Sequence, residues 1–127
     1  MSKIPTIAIV DDDDGVRTSL ASLLRSLGFE VRSYSSALEF LDDKIGEDLS
    51  CMIADIQMPG MSGDELQEVL MARGRIFPMI FMTAYPNEAT RIRVMSAGAH
   101  AFLDKPVDAD AIADCVEFVL RDQSKHS

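Results

Sequence analysis

Short apolar runs alternate with amphipathic stretches along the 127-residue chain. The first run, Thr6–Val10, is continuous and rich in β-branched residues, which is typical of a strand buried on both faces. Apolar residues then recur at helical spacing and stop before Gly28, a residue type that commonly ends a helix. The alternation repeats, and it predicts strands at Thr6–Val10, Phe29–Tyr34, Cys51–Asp55, Pro78–Thr83 and Ala101–Leu103.

A helix is predicted after each strand. Ser35 or Ser36 can cap the second helix, Asn87 the fourth and Asp108 the fifth, because their side chains accept hydrogen bonds from free backbone N–H groups. The apolar stripes of the five helices are expected at Val16, Leu20, Leu23, Leu24 and Leu27; Leu38, Phe40 and Leu41; Leu66, Val69 and Leu70; Ile92 and Met95; and Ile112, Cys115, Val116, Val119 and Leu120.

Strict alternation of strands and helices indicates an α/β fold with a parallel sheet between two helical layers. The second strand alternates apolar and polar residues, which favours a place near the edge of the sheet. In such sheets, functional sites form beyond the carboxyl ends of the strands. The residues that end the strands, or directly follow them, are therefore the candidates for chemistry.

Three carboxylates, a hydroxyl and an ammonium group stand at these strand ends: Asp11, Asp12, Asp55, Thr83 and Lys105. Clustered carboxylates repel one another, so a hard divalent cation such as Mg²⁺ would make the cluster tolerable. Lysine and threonine offer charge and a hydrogen-bond donor to phosphate oxygens, and an aspartate can act as a nucleophile toward phosphorus. Within the Asp11–Asp14 run, Asp13 and Asp14 are better explained as helix-capping residues.

Composition narrows the functional classes further. The net charge of −9 makes this domain alone a poor candidate for binding nucleic acid or a membrane surface. Cys51 and Cys115 lack metal-ligand spacing and are expected to be reduced thiols. The length suits one domain spanning residues 1–127. With no apolar run near 18 residues, a cytoplasmic protein is predicted.

Taken together, the motifs resemble those of the response-regulator receiver family of two-component signalling, over roughly Ile4–Leu120. The resemblance implies a CheY-like, flavodoxin-like (βα)5 fold with strand order 2-1-3-4-5, a signalling module rather than an enzyme. The segments Asp55–Gly63 and Asp104–Val107 are similar to those of the FixJ-like branch, whose members carry DNA-binding output domains. The matching segments are Ile9–Asp12, Asp55–Gly63, Met82–Ala84, Gly98–Ala99 and Lys105–Pro106.

The resemblance also implies residue roles. Asp55 would accept a phosphoryl group from a histidine kinase or a phosphotransfer protein, and Lys105 would contact that group. The implied ligands of Mg²⁺, or of Mn²⁺ as a substitute, are Asp11, Asp12, Asp55 and the main-chain carbonyl of Gln57.

A switch is implied as well. Thr83 would move toward the phosphoryl group and couple to rotation of Phe102, changing the face formed by the fourth helix, fifth strand and fifth helix. That face could also support a homodimer. Gln57 and Tyr85 would flank the water that hydrolyses the phosphoryl group, and the Lys105–Pro106 peptide bond is expected to be cis.

Two alternatives stay open from sequence. Asp12–Val16 fits the opening motif of haloacid-dehalogenase-type phosphatases, in which Asp12 would be the nucleophile. A receiver-like interaction module that never needs phosphate is the second. Labelling with a small phosphodonor distinguishes the first alternative, since it would modify Asp12 instead of Asp55.

Overall fold

A computed structural model describes residues 4–43 and 49–125 of the chain. Five strands alternate with five helices in these residues, as predicted. The elements are β1 Thr6–Val10, α1 Asp14–Ser26, β2 Glu30–Tyr34, α2 Ala37–Asp42, β3 Leu49–Asp55, α3 Gly63–Ala72, β4 Met79–Thr83, α4 Glu88–Ser96, β5 Ala101–Asp104 and α5 Ala109–Lys125.

The strands form one parallel sheet in the order β2-β1-β3-β4-β5. This confirms the predicted α/β fold and its strand order. The amphipathic second strand lies at one edge, where its residues are only partly buried. In contrast, β1, β3 and β4 lie inside the sheet and are almost continuously buried.

Two apolar cores cover the two faces of the sheet. One face packs against α1 and α5 through residues such as Leu24 and Val116. The other packs against α2, α3 and α4 through Phe40, Leu66 and Val94. Because strand side chains alternate between faces, neighbouring residues such as Ile53 and Ala54 contribute to opposite cores.

Side-chain caps fix where the helices begin. Asp13 accepts a hydrogen bond from the backbone N–H of Val16 at 3.0 Å, so α1 starts directly after the acidic run. Ser36 caps α2 and Asn87 caps α4, as predicted. Ser62 caps α3 in a reciprocal arrangement with Glu65. These caps set the lengths of the loops that form the carboxyl edge of the sheet.

Four residues expected on apolar stripes are instead exposed: Leu27 (40%), Leu38 (56%), Ile92 (53%) and Met95 (36%). In α4 the buried residue is Val94, which lies between the two predicted positions. The helix is short and only weakly amphipathic, so local spacing did not fix which side meets the sheet.

Cys51 is buried, Cys115 is partly buried, and both are free thiols. Burial raises the pKa of Cys51 to about 12. None of the described helices is long and apolar enough to cross a membrane.

Candidate phosphoryl-transfer site

The carboxyl edge of the sheet brings the predicted residues together. Asp11 follows β1, Asp55 ends β3, Thr83 ends β4 and Lys105 follows β5. Asp11 and Thr83 are fully buried and Asp55 is 4% exposed, whereas Asp12 lies at the surface. The strand ends thus form a buried floor with an open, acidic rim.

Lys105 spans the two buried carboxylates. Its Nζ lies 3.0 Å from Oδ2 of Asp11 and 3.3 Å from Oδ2 of Asp55. Burial alone would lower the pKa of Lys105, but the carboxylates of Asp11 and Asp55 outweigh it and raise the pKa. The lysine is therefore held as a cation between two anions.

The charged form of Asp55 is disfavoured despite this lysine. Burial raises its pKa most, the Asp11 carboxylate raises it further, and the Lys105 ammonium opposes both; the pKa is about 6. Its Oδ1 atom is buried and has no hydrogen-bond partner. Such an unsatisfied buried oxygen is costly, and it is a natural point of attachment for a positive or electrophilic group.

The acidic cluster fits a hard divalent cation. Asp11, Asp12 and Asp55 each offer a carboxylate oxygen, and these atoms lie within 4.8 Å of one another. One oxygen of Asp11 accepts the backbone N–H of Asp13 at 2.9 Å, whereas Oδ2 of Asp11 has no well-directed hydrogen bond and faces Lys105. An all-oxygen, anionic set of this kind suits Mg²⁺ or Mn²⁺.

The Thr83 hydroxyl both donates and accepts a hydrogen bond. It donates to Oε1 of Gln57 at 2.6 Å and accepts the backbone N–H of Tyr85 at 3.0 Å. Gln57 is exposed in the loop after β3, and Tyr85 is 74% exposed. The hydrogen bond between Thr83 and Gln57 involves the Gln57 side chain, so the expected role of the Gln57 carbonyl as a metal ligand stays a prediction.

Phe102 is partly buried against the core that includes Val94 and Phe81. In the register of β4 and β5, Phe102 lies opposite Phe81. A pocket of about 540 Å³ lies between Phe102 and the start of α4. The Lys105–Pro106 peptide bond is cis.

The sequence profile of the "Response regulator receiver domain" family matches residues 7–117, most of the chain. The chain belongs to the response regulator receiver family. A receiver domain is a signalling module rather than a catalytic enzyme, and it implies a cognate histidine kinase. The phosphatase alternative, with Asp12 as nucleophile, is therefore wrong.

Individual relatives agree with this assignment. The receiver domain is 43% identical over 114 residues to "Transcriptional regulatory protein FixJ" of Azorhizobium caulinodans, covering 90% of this chain and 54% of that protein. It is 37% identical to "Transcriptional regulatory protein TdiR" of Thauera aromatica, covering 91% of this chain and 51% of that protein. The chain thus spans about half the length of the curated relatives it matches.

Solved structures resemble the domain closely. A CheY-like receiver domain protein from Methanospirillum hungatei JF-1 superposes with a TM-score of 0.91 at 29% identity, covering 98% of this chain and all of that one. The response regulator StyR superposes with a TM-score of 0.88 at 42% identity, covering 98% of this chain and 63% of that one.

Gly63 supports the receiver site in a way that the sequence analysis missed. A Cβ at this position would lie 2.3 Å from the carbonyl oxygen of Asp55, so α3 starts directly against the backbone of β3. Its N–H also donates to the carbonyl of Ile56 at 2.9 Å. The available signal was a glycine in the first turn of a helix, a place where most residues are tolerated.

Arg17 was also missed. Its guanidinium donates to the main-chain carbonyl of Asp11 at 2.7 Å and forms an ion pair with Asp14. It thereby ties the start of α1 to the end of β1. An arginine one turn after an acidic run was the signal, but helix periodicity alone gave it no partner.

Proposed function

We propose that this receiver domain accepts a phosphoryl group on the side chain of Asp55. The supporting observation is the environment of that carboxylate, which is buried at the end of β3 beside Lys105 and keeps one oxygen without a partner. The unpartnered oxygen is free to attack an electrophilic phosphorus, and the neighbouring Lys105 ammonium would offset part of the negative charge that the phosphoryl group adds.

In the proposed transfer, an Asp55 oxygen attacks the phosphorus of a phosphohistidine on the kinase. The P–O bond forms, the P–N bond breaks, and the histidine ring departs with the electron pair and takes up a proton. Lys105 would pair with a phosphoryl oxygen. Asp11, Asp12, Asp55 and the Gln57 carbonyl would hold Mg²⁺, or Mn²⁺, which supplies charge neutralisation when bound.

Phosphorylation would be read out through Thr83 and Phe102. A threonine hydroxyl that turns toward the phosphoryl group vacates space, and the ring of Phe102, which lines the pocket beside α4, would rotate inward. The altered surface would be the α4–β5–α5 face, where Ile92, Met95 and Phe118 are exposed. A second copy of the domain is the proposed occupant of that face.

Residues 1–127 would form one receiver domain in the cytoplasm, and the relatives' names and lengths support a transcription-regulating output domain in the full protein. With a net charge of −9, the receiver itself would not bind nucleic acid. The bulky, exposed Tyr85 and the neighbouring Gln57 would slow access of hydrolytic water to the phosphoryl group.

Intact mass after incubation with Mg²⁺ and acetyl phosphate tests the proposal. The wild type should gain one phosphoryl group and Asp55→Ala none, while Asp12→Asn should retain a reduced yield because it keeps the acceptor. Adducts on both wild type and Asp55→Ala would place the modification elsewhere. Absence of any adduct on the wild type would favour a phosphate-independent interaction module.

A further inference from the structure

The hydroxyl proton of Thr83 is already used in a hydrogen bond to Gln57. A hydroxyl carries one proton and can donate one hydrogen bond. Oγ1 of Thr83 donates that bond to Oε1 of Gln57 at 2.6 Å, a short distance for this type of contact. The same oxygen accepts the N–H of Tyr85 at 3.0 Å, which fixes the remaining orientation. Thr83 therefore has no proton to offer to a group on Asp55 while Gln57 is bound.

We infer that the Gln57 side chain is a latch that holds Thr83 in the unphosphorylated conformation, so it sets how strongly the domain responds to phosphorylation. The inference rests on the proposed function of Asp55. It is distinct from a role of Gln57 in screening hydrolytic water, because the latch acts before any phosphoryl group is bound.

The strengths of the two competing hydrogen bonds favour a conditional latch. A bond from a neutral hydroxyl to a neutral amide is roughly half as strong as one to an anionic phosphoryl oxygen. Thr83 is buried, so its hydroxyl keeps some partner in both states, whereas the exposed Gln57 can return to water once released. The exchange is thus favourable only when an anionic acceptor is present at Asp55.

Removal of the latch should make the active conformation easier to reach. Gln57→Met keeps the length of the side chain and the main-chain carbonyl but cannot accept the bond. Beryllium trifluoride, an analogue of the phosphoryl group, should then bind the Mg²⁺-saturated domain about 2- to 10-fold more tightly, the value expected for one net hydrogen bond. Titration calorimetry measures this affinity.

A double-mutant cycle assigns the effect to Thr83. Thr83→Val preserves the shape of the side chain without its proton, so the gain from Gln57→Met should vanish in the Thr83→Val background. An equal gain in both backgrounds, or no gain in the wild-type background, would overturn the latch. So would a change in Mg²⁺ affinity large enough to account for the whole gain.

A measurement without any phosphoryl analogue separates this inference from the proposed function. In the metal-free domain, three-bond NMR couplings should report one Thr83 rotamer in the wild type and averaging in Gln57→Met. Averaging together with no beryllium trifluoride binding to the wild type would contradict phosphorylation of Asp55. A fixed rotamer in Gln57→Met, with normal binding, would contradict only the latch.

Discussion

Strands β3 and β4 carry Asp55 and Thr83 from the middle of the sheet, whereas β5 carries Phe102 along its edge. All five residues of β4 are buried, but the residues of β5 are partly or fully exposed. The helices differ in the same way: α3 buries Leu66 and Leu70 among others, while α4 buries Val94. The acidic site thus lies at the end of well-buried elements, β3, β4 and α3, which we call the deep side. Next to it are α4 and β5, which bury few residues and which we call the shallow side.

The shallow side is held partly by polar contacts between α3 and α4. The amide of the buried Gln67 donates to the carbonyl of Val94 at 3.1 Å, and Arg93 forms an ion pair with Asp64. Segments that bury little apolar surface move at lower free-energy cost than central strands do. This difference suggests why a charge added at Asp55, at the end of the buried strand β3, would move α4 and β5 and not the central strands.

The largest expected effect comes from two phenylalanines that pair across β4 and β5. Phe81 is fully buried and Phe102 only partly. Phe81→Ala should lower the free energy of unfolding by about 3–5 kcal/mol, and Phe102→Ala by about half as much or less. Urea titrations of the metal-free domain measure both values. Equal losses would mean that the α4–β5 side is as firmly packed as the centre.

Gly63→Ala should disturb the deep side without removing any polar group. The new Cβ would meet the Asp55 carbonyl oxygen at 2.3 Å, and backbone cannot yield as a flexible side chain does. We expect a loss of about 1–3 kcal/mol in unfolding free energy, with weaker Mg²⁺ binding. Gly15→Ala is the matched control, since its Cβ would approach only a side-chain oxygen of Asp13, at 3.3 Å, and no backbone atom. Similar losses for the two variants would refute close packing at Gly63.

Lys105→Met should change metal binding and phosphorylation in opposite directions. Because the ammonium lies 3.0 Å and 3.3 Å from the two buried carboxylates, its removal leaves more negative charge for a cation to neutralise. Mg²⁺ should bind about tenfold more tightly, while phosphorylation by acetyl phosphate slows.

Arg121→Met controls for net charge, because Arg121 is exposed near the far end of α5 and donates to its own helix. Calorimetry on both variants should show tighter Mg²⁺ binding only for Lys105→Met. Unchanged Mg²⁺ affinity would mean that the lysine does not compete for these oxygens.

The sequence predicted the deep part of the molecule well. Buried strands such as Thr6–Val10 are continuous apolar runs, and the parallel connections bring their carboxyl ends to one edge whatever the details of packing. For that reason the sequence alone predicts that Asp11, Asp55, Thr83 and Lys105 lie together. Residue roles beyond that grouping depended on family resemblance.

The shallow part was predicted poorly. In α4 the buried residue is Val94, flanked by the exposed Ile92 and Met95, because a short helix with little amphipathic character can meet the sheet on either side. The half-exposed Arg93 pairs with Asp64 of α3, a partner that the spacing of residues within α4 does not indicate. Contacts that join distant segments, such as Gln57 with Thr83, leave no periodic pattern in the sequence.

The smallest expected effect concerns the ion pair between α3 and α4. Arg93→Met should cost about 0.2–1 kcal/mol of unfolding free energy at pH 7, since Arg93 is half exposed and solvent screens the pair. Arg91→Met is the control, because its partner Glu88 lies within α4 and does not join it to α3.

The pH dependence of that cost identifies the carboxylate. Burial would raise the pKa of Asp64, but Ser62 and Arg93 outweigh it and lower the pKa below its ordinary 3.8. A depressed pKa stabilises the folded state above the ordinary value, and the contribution is lost as the pH falls through the folded one. Urea titrations of wild type and Arg93→Met should therefore differ by a constant amount from pH 7 to pH 5, and the difference should shrink progressively below about pH 4. A difference that stays the same size down to pH 3 would show that Arg93 acts through packing of its side chain, and α4 would then be held less by charge than by contact.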